Sequence, residues 1–283
     1  MSVVRNLQEQ LQQTQTAKFV TTMLRDISAT RLQTIRSEVE RNKKYYSELH
    51  ALMELVKSFA VEHGVDLRTG TDKKKIYIAI TSNRRFYGKL NNNIMDSFVS
   101  SLAQDDEADG YVIGATGWQY WGQNKPVLKQ DINFLTPSNS AQKTDVPTRA
   151  EVRNIVEASS MYNEVVAIHP TFINSFRQEP VQTDITHVPR NQVSKNIDYI
   201  VEPDIPALLT FFRTQVRLVL FERVILETRL ALTGARLMKM QRARERATEL
   251  EKQERRIIHK QISTIQNMRL LETFTGFTSD RTI

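Results

Sequence analysis

Residues 204–277 read DIPALLTFFRTQVRLVLFERVILETRLALTGARLMKMQRARERATELEKQERRIIHKQISTIQNMRLLETFTGF. No proline follows Pro206, and the only glycines in the stretch are Gly234 and Gly276, so no local signal interrupts a helix. Apolar residues return at spacings of three and four, through Leu209, Phe212, Val216 and Val219, then Leu237, Met240, Ala243, Ala247 and Leu250, then Ile258, Ile262, Ile265 and Met268. A stripe of that width is a seam, not an all-round buried helix. About seventy residues at about 1.5 Å rise give a rod of roughly 100 Å. Globular helices rarely exceed about 25 residues outside coiled coils and repeats. The spacing therefore predicts a helix that needs a partner along its length.

The partner is at the other end of the chain. Residues 3–60 contain no glycine or proline, and Leu7, Leu11, Leu24, Ile27, Leu32, Ile35, Val39, Tyr46, Leu49, Leu52, Val56 and Phe59 approximate a second helical stripe. Two long helices with one seam each pair most simply as an antiparallel coiled coil. Between them the texture changes. Residues 76–80, 110–114 and 165–168 read as short buried strands, and 93–102 and 149–162 as helices. Strand and helix alternating in this way predict a sheet of parallel strands. The expected fold is α/β plus long helices: a coiled coil of residues 1–62 and 204–283 around a central Rossmann-like α/β domain, residues 63–203.

Composition narrows the function. The 283 residues contain no cysteine, which excludes disulfides, thiolate metal sites and thiol catalysis. The first ten residues lack an apolar signal core and no apolar run approaches bilayer length, so no direct membrane span is expected. A net charge of +7 implies acidic partners. Residues 213–260 carry much of it, with thirteen Lys and Arg against six Asp and Glu. Arg and Glu alternate in residues 241–252 without a zinc, homeodomain or RNP signature, which argues against nucleic acid.

Reaction chemistry is not legible. Gly88-Lys89 has Asn83 where a P-loop needs its first glycine, and Gly114-Ala115-Thr116-Gly117 lacks the rest of a dinucleotide fingerprint. His50, His63, His169, His187 and His259 stand far apart with no metal-ligand spacing. Asp105, Asp106 and Glu107 fall in a polar stretch that reads as a solvated turn. No catalytic, cofactor or metal residues are assigned.

Four motifs in order carry a resemblance. Residues 80–94, ITSNRRFYGKLNNNI, are similar to the stretch ITSDRGLCGGLNSNI of the gamma subunit of F-type rotary ATP synthases. Phe172 followed by Gln178-Glu179-Pro180-Val181 resembles that family's NKF with QEPV; residues 199–204 resemble its YxYEPD; residues 235–240 resemble its AARMVAM. The resemblance implies a non-catalytic central shaft. Its partners would be the alpha and beta catalytic subunits, an epsilon-type subunit and the membrane c-ring, on the cytoplasmic face of the cell membrane, with no cofactor of its own. It implies rotor-stator contacts at Leu24, Arg84, Arg236, Met240, Lys260, Ser263 and Glu272, and foot and ring contacts at Tyr199, Glu202 and Asp204. Arg85, Phe86 and Tyr87 stand for the family's Gly-Leu-Cys, Lys89 for a glycine, and Ile262-Ser263 for an Arg-Gln pair, so the chain resembles a divergent member. A repurposed rotary ATPase motor without a conventional ion-translocating ring is the alternative these departures leave.

Overall fold

A computed structural model describes residues 2–62, 73–124, 132–135, 145, 147–186 and 204–279. Ten elements follow in order: α1 (Ser2–Glu62), β1 (Lys73–Ile80), α2 (Leu90–Gln104), β2 (Asp109–Ile113), α3 (Ala115–Asn124), β3 (Ile132–Leu135), α4 (Arg149–Ser159), β4 (Tyr162–Phe172), β5 (Gln178–Asp184) and α5 (Ile205–Ser279). The fold is a mixed α/β sheet with long helices at both ends of the chain, as the periodicity predicts. Two compact units divide it. One comprises the described residues of Met1–Ile27 and Leu237–Ile283, the other Ser28–Arg236.

In the larger unit a five-stranded sheet has the order β3-β2-β1-β4-β5. The first four strands are parallel, with Ile78 opposite Tyr111 on β2 and Ala167 on β4. The expectation of an all-parallel sheet fails at the edge: β5 runs antiparallel to β4, Phe172 opposite Gln178. A turn at residues 173–177 joins them, closed by the Asn174 Oδ1, which accepts from the backbone N–H of Phe176 and Arg177 at 2.9 Å each. Such a short connection can only reverse the chain. The helix expected over 149–162 ends at Ser159, because Tyr162 opens β4 and donates its hydroxyl to Asp109 at 2.6 Å.

Both faces of the sheet are buried. Ile78, Ala79, Ile80, Val165, Ala167 and Ile168 are covered, and α2 packs on β1, β4 and β5 through Ile94, Met95, Phe98 and Leu102, each 0 % exposed. The same core takes Val152, Ile155 and Val156 of α4 and Val216, Val219, Phe221 and Val224 of α5. α4 starts with a capping box, Thr148 with Glu151, that satisfies two otherwise orphaned backbone donors. Within this unit α1 and α5 pair antiparallel: Glu38 bonds Arg229 at 3.2 Å, and further along α1 Val56 and Ala60 cluster with Leu209.

The seams differ from the expected ones at several positions. Ile27, Leu52, Leu250 and Met268 are 46–57 % exposed, while Ser28, Met53 and Ala60 are buried instead. A 3.6-residue period drifts against a fixed apolar spacing, so small or polar residues enter the seam wherever the other helix comes close.

Candidate functional site

In an open α/β sheet the usual ligand crevice lies beyond the carboxyl ends of the strands where strand order reverses, here between β1 and β4. The amides at that crest are bonded inside the protein. Thr81 N–H donates to Ile113 O at 2.9 Å, Ser82 N–H to Asn91 Oδ1 at 3.2 Å, Ala115 N–H to Asn83 Oδ1 at 3.0 Å, and Gly117 N–H to Thr81 Oγ1 at 3.0 Å. Donors spent in this way cannot cradle a phosphate. The crest is a joint between β1, β2, α2 and α3. Gly114, at φ +104°, and Gly117 permit it, since a Cβ there would meet Thr81 O at 2.4 Å or Val112 Cγ1 at 2.6 Å.

The end of β4 also meets α5. A Cβ on Gly234 would lie 2.6 Å from Phe172 Cε2, so the helix backbone rests on that ring, whose centroid also lies 5.4 Å from the Arg36 guanidinium. Gly234→Ala forces the aromatic ring to move and is expected to destabilise this unit by about 1–3 kcal/mol, although alanine favours a helix. A urea midpoint equal to or above that of the unaltered chain would contradict the close contact.

Two residues on, Arg236 is held in a polar cluster. Its guanidinium donates to Tyr87 Oη at 2.6 Å and to Asp145 Oδ2 at 3.3 Å, and sits 4.8 Å from the Tyr87 ring centroid. Arg84 Nε lies 3.9 Å from the other Asp145 oxygen. Burial, and then the Asp145 carboxylate, raise the Tyr87 phenol, against the two arginines, so it stays a neutral donor and acceptor. The loop that delivers Tyr87 is strained: Phe86 has φ +81° with its side chain 62 % exposed.

The smaller unit is a helix pair. Thr14 donates to Glu254 at 3.0 Å, Gln15 to Glu251 at 3.3 Å, and Lys18 pairs with Glu251 at 2.8 Å; rising numbers on α1 meet falling ones on α5, so the pair is antiparallel. Met240, Ala247 and Ile258 fill the seam. Hydrogen bonds from Lys18, then Arg255 and Gln15, lower the Glu251 carboxyl to about 2. A carboxyl more acidic folded than unfolded stabilises the pair above its ordinary value of 4.5, and that stabilisation is lost as pH falls from about 4.5 to about 2. Acid unfolding of Glu251→Gln, followed by circular dichroism, is expected to be shallower across that window; an unchanged slope would contradict the assignment.

The residues singled out by sequence are dispersed. Arg84 and Arg236 meet at Asp145. Leu24 is half-buried and Met240 buried in the helix pair, whereas Lys260, Ser263 and Glu272 are exposed on α5. Asp204 is exposed just before α5, its carbonyl accepting from Leu208 N–H at 3.1 Å. Tyr199 and Glu202 lie outside the described residues, as do His63 and His187. Among the described histidines, His169 is 0 % exposed, bonded to Thr183 Oγ1 at 2.9 Å, and burial lowers its pKa. No group of three or more metal-binding side chains occurs among the described residues. Sequence reasoning missed Tyr87 and Asp145; only the Tyr87 departure from the family stretch pointed to either.

Comparison with known proteins follows the same lines. The family model for ATP synthase matches residues 3–261. An ATP synthase gamma chain from Clostridium botulinum (strain Langeland) is 26% identical over 177 residues, 60% of this chain and 60% of that protein, so the chain spans about three-fifths of that relative's length. One from Mesoplasma florum is 22% identical over 259 residues, 89% of each chain. Among solved structures, a chain of the Tetrahymena thermophila mitochondrial ATP synthase central stalk and c-ring has a TM-score of 0.57 at 14% identity, covering 79% of this chain and 99% of that one. A chain of the Euglena gracilis mitochondrial ATP synthase OSCP/F1/c-ring structure has a TM-score of 0.52 at 13% identity, covering 90% and 97%. At these identities the structural likeness speaks for the fold.

Proposed function

This chain belongs to the ATP synthase gamma family, whose members are non-catalytic central-stalk subunits, and from that premise we propose that it couples rotation of a membrane c-ring to ATP synthesis or hydrolysis in a hexamer of alpha and beta subunits. The observation that carries this reading is the helix pair of the smaller unit, held in one register by the Lys18–Glu251 and Thr14–Glu254 bonds. A stiff, asymmetric pair of helices presents a different face to each of three identical sites at any angle, and turning it changes their affinities in sequence.

In this reading Leu24, Met240, Lys260, Ser263 and Glu272 belong to the rotor-stator contact. Arg84, 41 % exposed, keeps a face for the stator, while Arg236, only 15 % exposed, acts through the cluster that fixes its helix. Tyr199, Glu202 and Asp204 serve the ring and an epsilon-type subunit. The complex would sit peripherally on the cytoplasmic face of the cell membrane; no helix among the described residues is long and apolar enough to cross a membrane.

A tagged chain pulled from its native cell, with mass spectrometry and an ATPase assay on the eluate, tests the reading. Alpha-, beta- and ring-type subunits with ATPase activity are expected, and recovery of none of them would overturn it. Ser263→Ala in the recovered complex is expected to weaken coupling while changing stability by less than about 0.5 kcal/mol. Full ATP-driven rotation by that variant would remove Ser263 from the contact.

A further inference from the structure

The smaller unit concentrates the chain's charge and then sorts it. Its two segments, about a quarter of the chain, hold thirteen Lys and Arg against eight Asp and Glu, an excess of five out of the chain's seven. Along the sequence the signs alternate and mostly cancel. In the fold they separate. Glu251 and Glu254 turn to α1, where they bond Lys18, Gln15 and Thr14. On the opposite side of α5, at spacings of three and four, stand Lys239, Arg242, Arg246, Glu249, Gln253, Arg256 and Lys260, every one exposed. That stripe has five cations and one carboxylate. Glu249 accepts from Gln253 at 3.4 Å, and none of the five cations has an ion-pair or hydrogen-bond partner for its side chain among the described residues. Leu250 and Ile257, 50 % and 47 % exposed, flank the stripe two turns apart.

We infer that this outer face of α5 is a docking surface for an acidic protein wall: carboxylates facing Arg242, Arg246, Arg256 and Lys260, and shallow apolar sockets for Leu250 and Ile257. Charge complementarity identifies the occupant's chemistry. A nucleic acid fits less well, because the face has no aromatic side chain on which a base could stack, presents Glu249 to the phosphates and leaves two aliphatic side chains without use. The inference rests on the shaft reading for the identity of the protein that bears the wall, the alpha/beta hexamer. It adds that the contact is electrostatically steered, so the shaft enters by long-range attraction and turns against a rim of exposed ion pairs, each of which is weak.

The test uses the full chain and the reconstituted alpha/beta hexamer, with association rates followed at about 0.1 M and about 1 M salt, where the Debye length falls from about 10 Å to about 3 Å. Arg242→Glu, Arg246→Glu and Arg256→Glu are combined in one variant. A control of equal charge change combines Lys43→Glu, Lys44→Glu and Arg153→Glu, exposed positions of the larger unit. All substituted positions are exposed, and helicity by circular dichroism confirms folding. The α5 variant is expected to associate about 10–100-fold more slowly than the unaltered chain at the lower salt, with the gap closing at the higher salt and the control unaffected. Equal rates for α5 variant and unaltered chain would overturn the inference while leaving the shaft reading intact. So would an equal loss in the control. Loss of binding to phosphatidylglycerol vesicles or polyuridylate with hexamer association unchanged would assign the face to lipid or RNA and overturn it as well. Failure of the unaltered chain to join the hexamer at either salt would sink the shaft reading, and this inference with it.

Discussion

Phe221→Ala is expected to destabilise the Ser28–Arg236 unit by about 3–5 kcal/mol, the range for removing a large aromatic side chain from a closed core. Phe221 is 0 % exposed and belongs to the cluster that joins α5 to the strands, alongside Val219, Val224, Ile78 and Ile168. Its neighbours come from elements far apart in sequence, so the space it vacates cannot be filled without shifting a sheet and a long helix together. Urea unfolding read on this unit should show a large drop in midpoint with little change in slope. A loss below about 1 kcal/mol would mean that α5 is not anchored through this side chain. A shaft whose long helix is loosened from its sheet should also lose coupling before it loses assembly, because torque crosses that joint.

The second large effect is expected at Arg236. Arg236→Ala leaves Asp145, only 18 % exposed, with Arg84 at 3.9 Å as its remaining cation, and removes the charged donor to Tyr87. Breaking a fully buried ion pair from one side is destabilising by about 3–5 kcal/mol, and the residual exposure here brings the expectation to about 2 kcal/mol. Tyr87→Phe keeps the ring under the guanidinium and removes one charge-assisted hydrogen bond, for about 1–2 kcal/mol. In the double variant the losses should fall short of their sum, the sign of a shared interaction. Arg236→Lys should recover little, since an ammonium cannot reach Tyr87 and Asp145 with one planar fork and stack on the ring. A substitution at Arg236 that left stability untouched would show the guanidinium free for an external partner, and the cluster without weight.

What could be read in advance follows the range of the interactions involved. The long helices were legible because seventy residues without a breaker leave no local alternative, and β1, β2 and β4 because their apolar runs are dense. α3 was not legible: Gly117 lies inside it and Gly114 immediately before it, and both look like turn signals. Only the approach of Thr81 and Val112 shows why glycine is required there. β5 was hidden by Pro180 and by polar residues that suit an edge strand, where one side of the backbone needs no partner. At the candidate site, the family motifs led to Arg84 and Arg236 but not to Tyr87 or Asp145, whose roles depend on positions 149 and 91 residues away from Arg236.

By itself the sequence determined the class of molecule: two long seamed helices around a short α/β segment, an order of motifs shared with the ATP synthase gamma family, and no cysteine chemistry. Those properties are local or statistical, and periodicity and composition encode them directly. Tertiary structure alone decided which charges face outward. Arg and Glu alternate along residues 241–252, and a chain read in one dimension shows them cancelling. Pairing with α1 draws Glu251 and Glu254 into the seam and leaves Arg242, Arg246 and Arg256 on the surface. The physical reason is that a helix carries residues three and four apart on one face and turns their neighbours away, so the partner that covers one face fixes the electrostatics of the other.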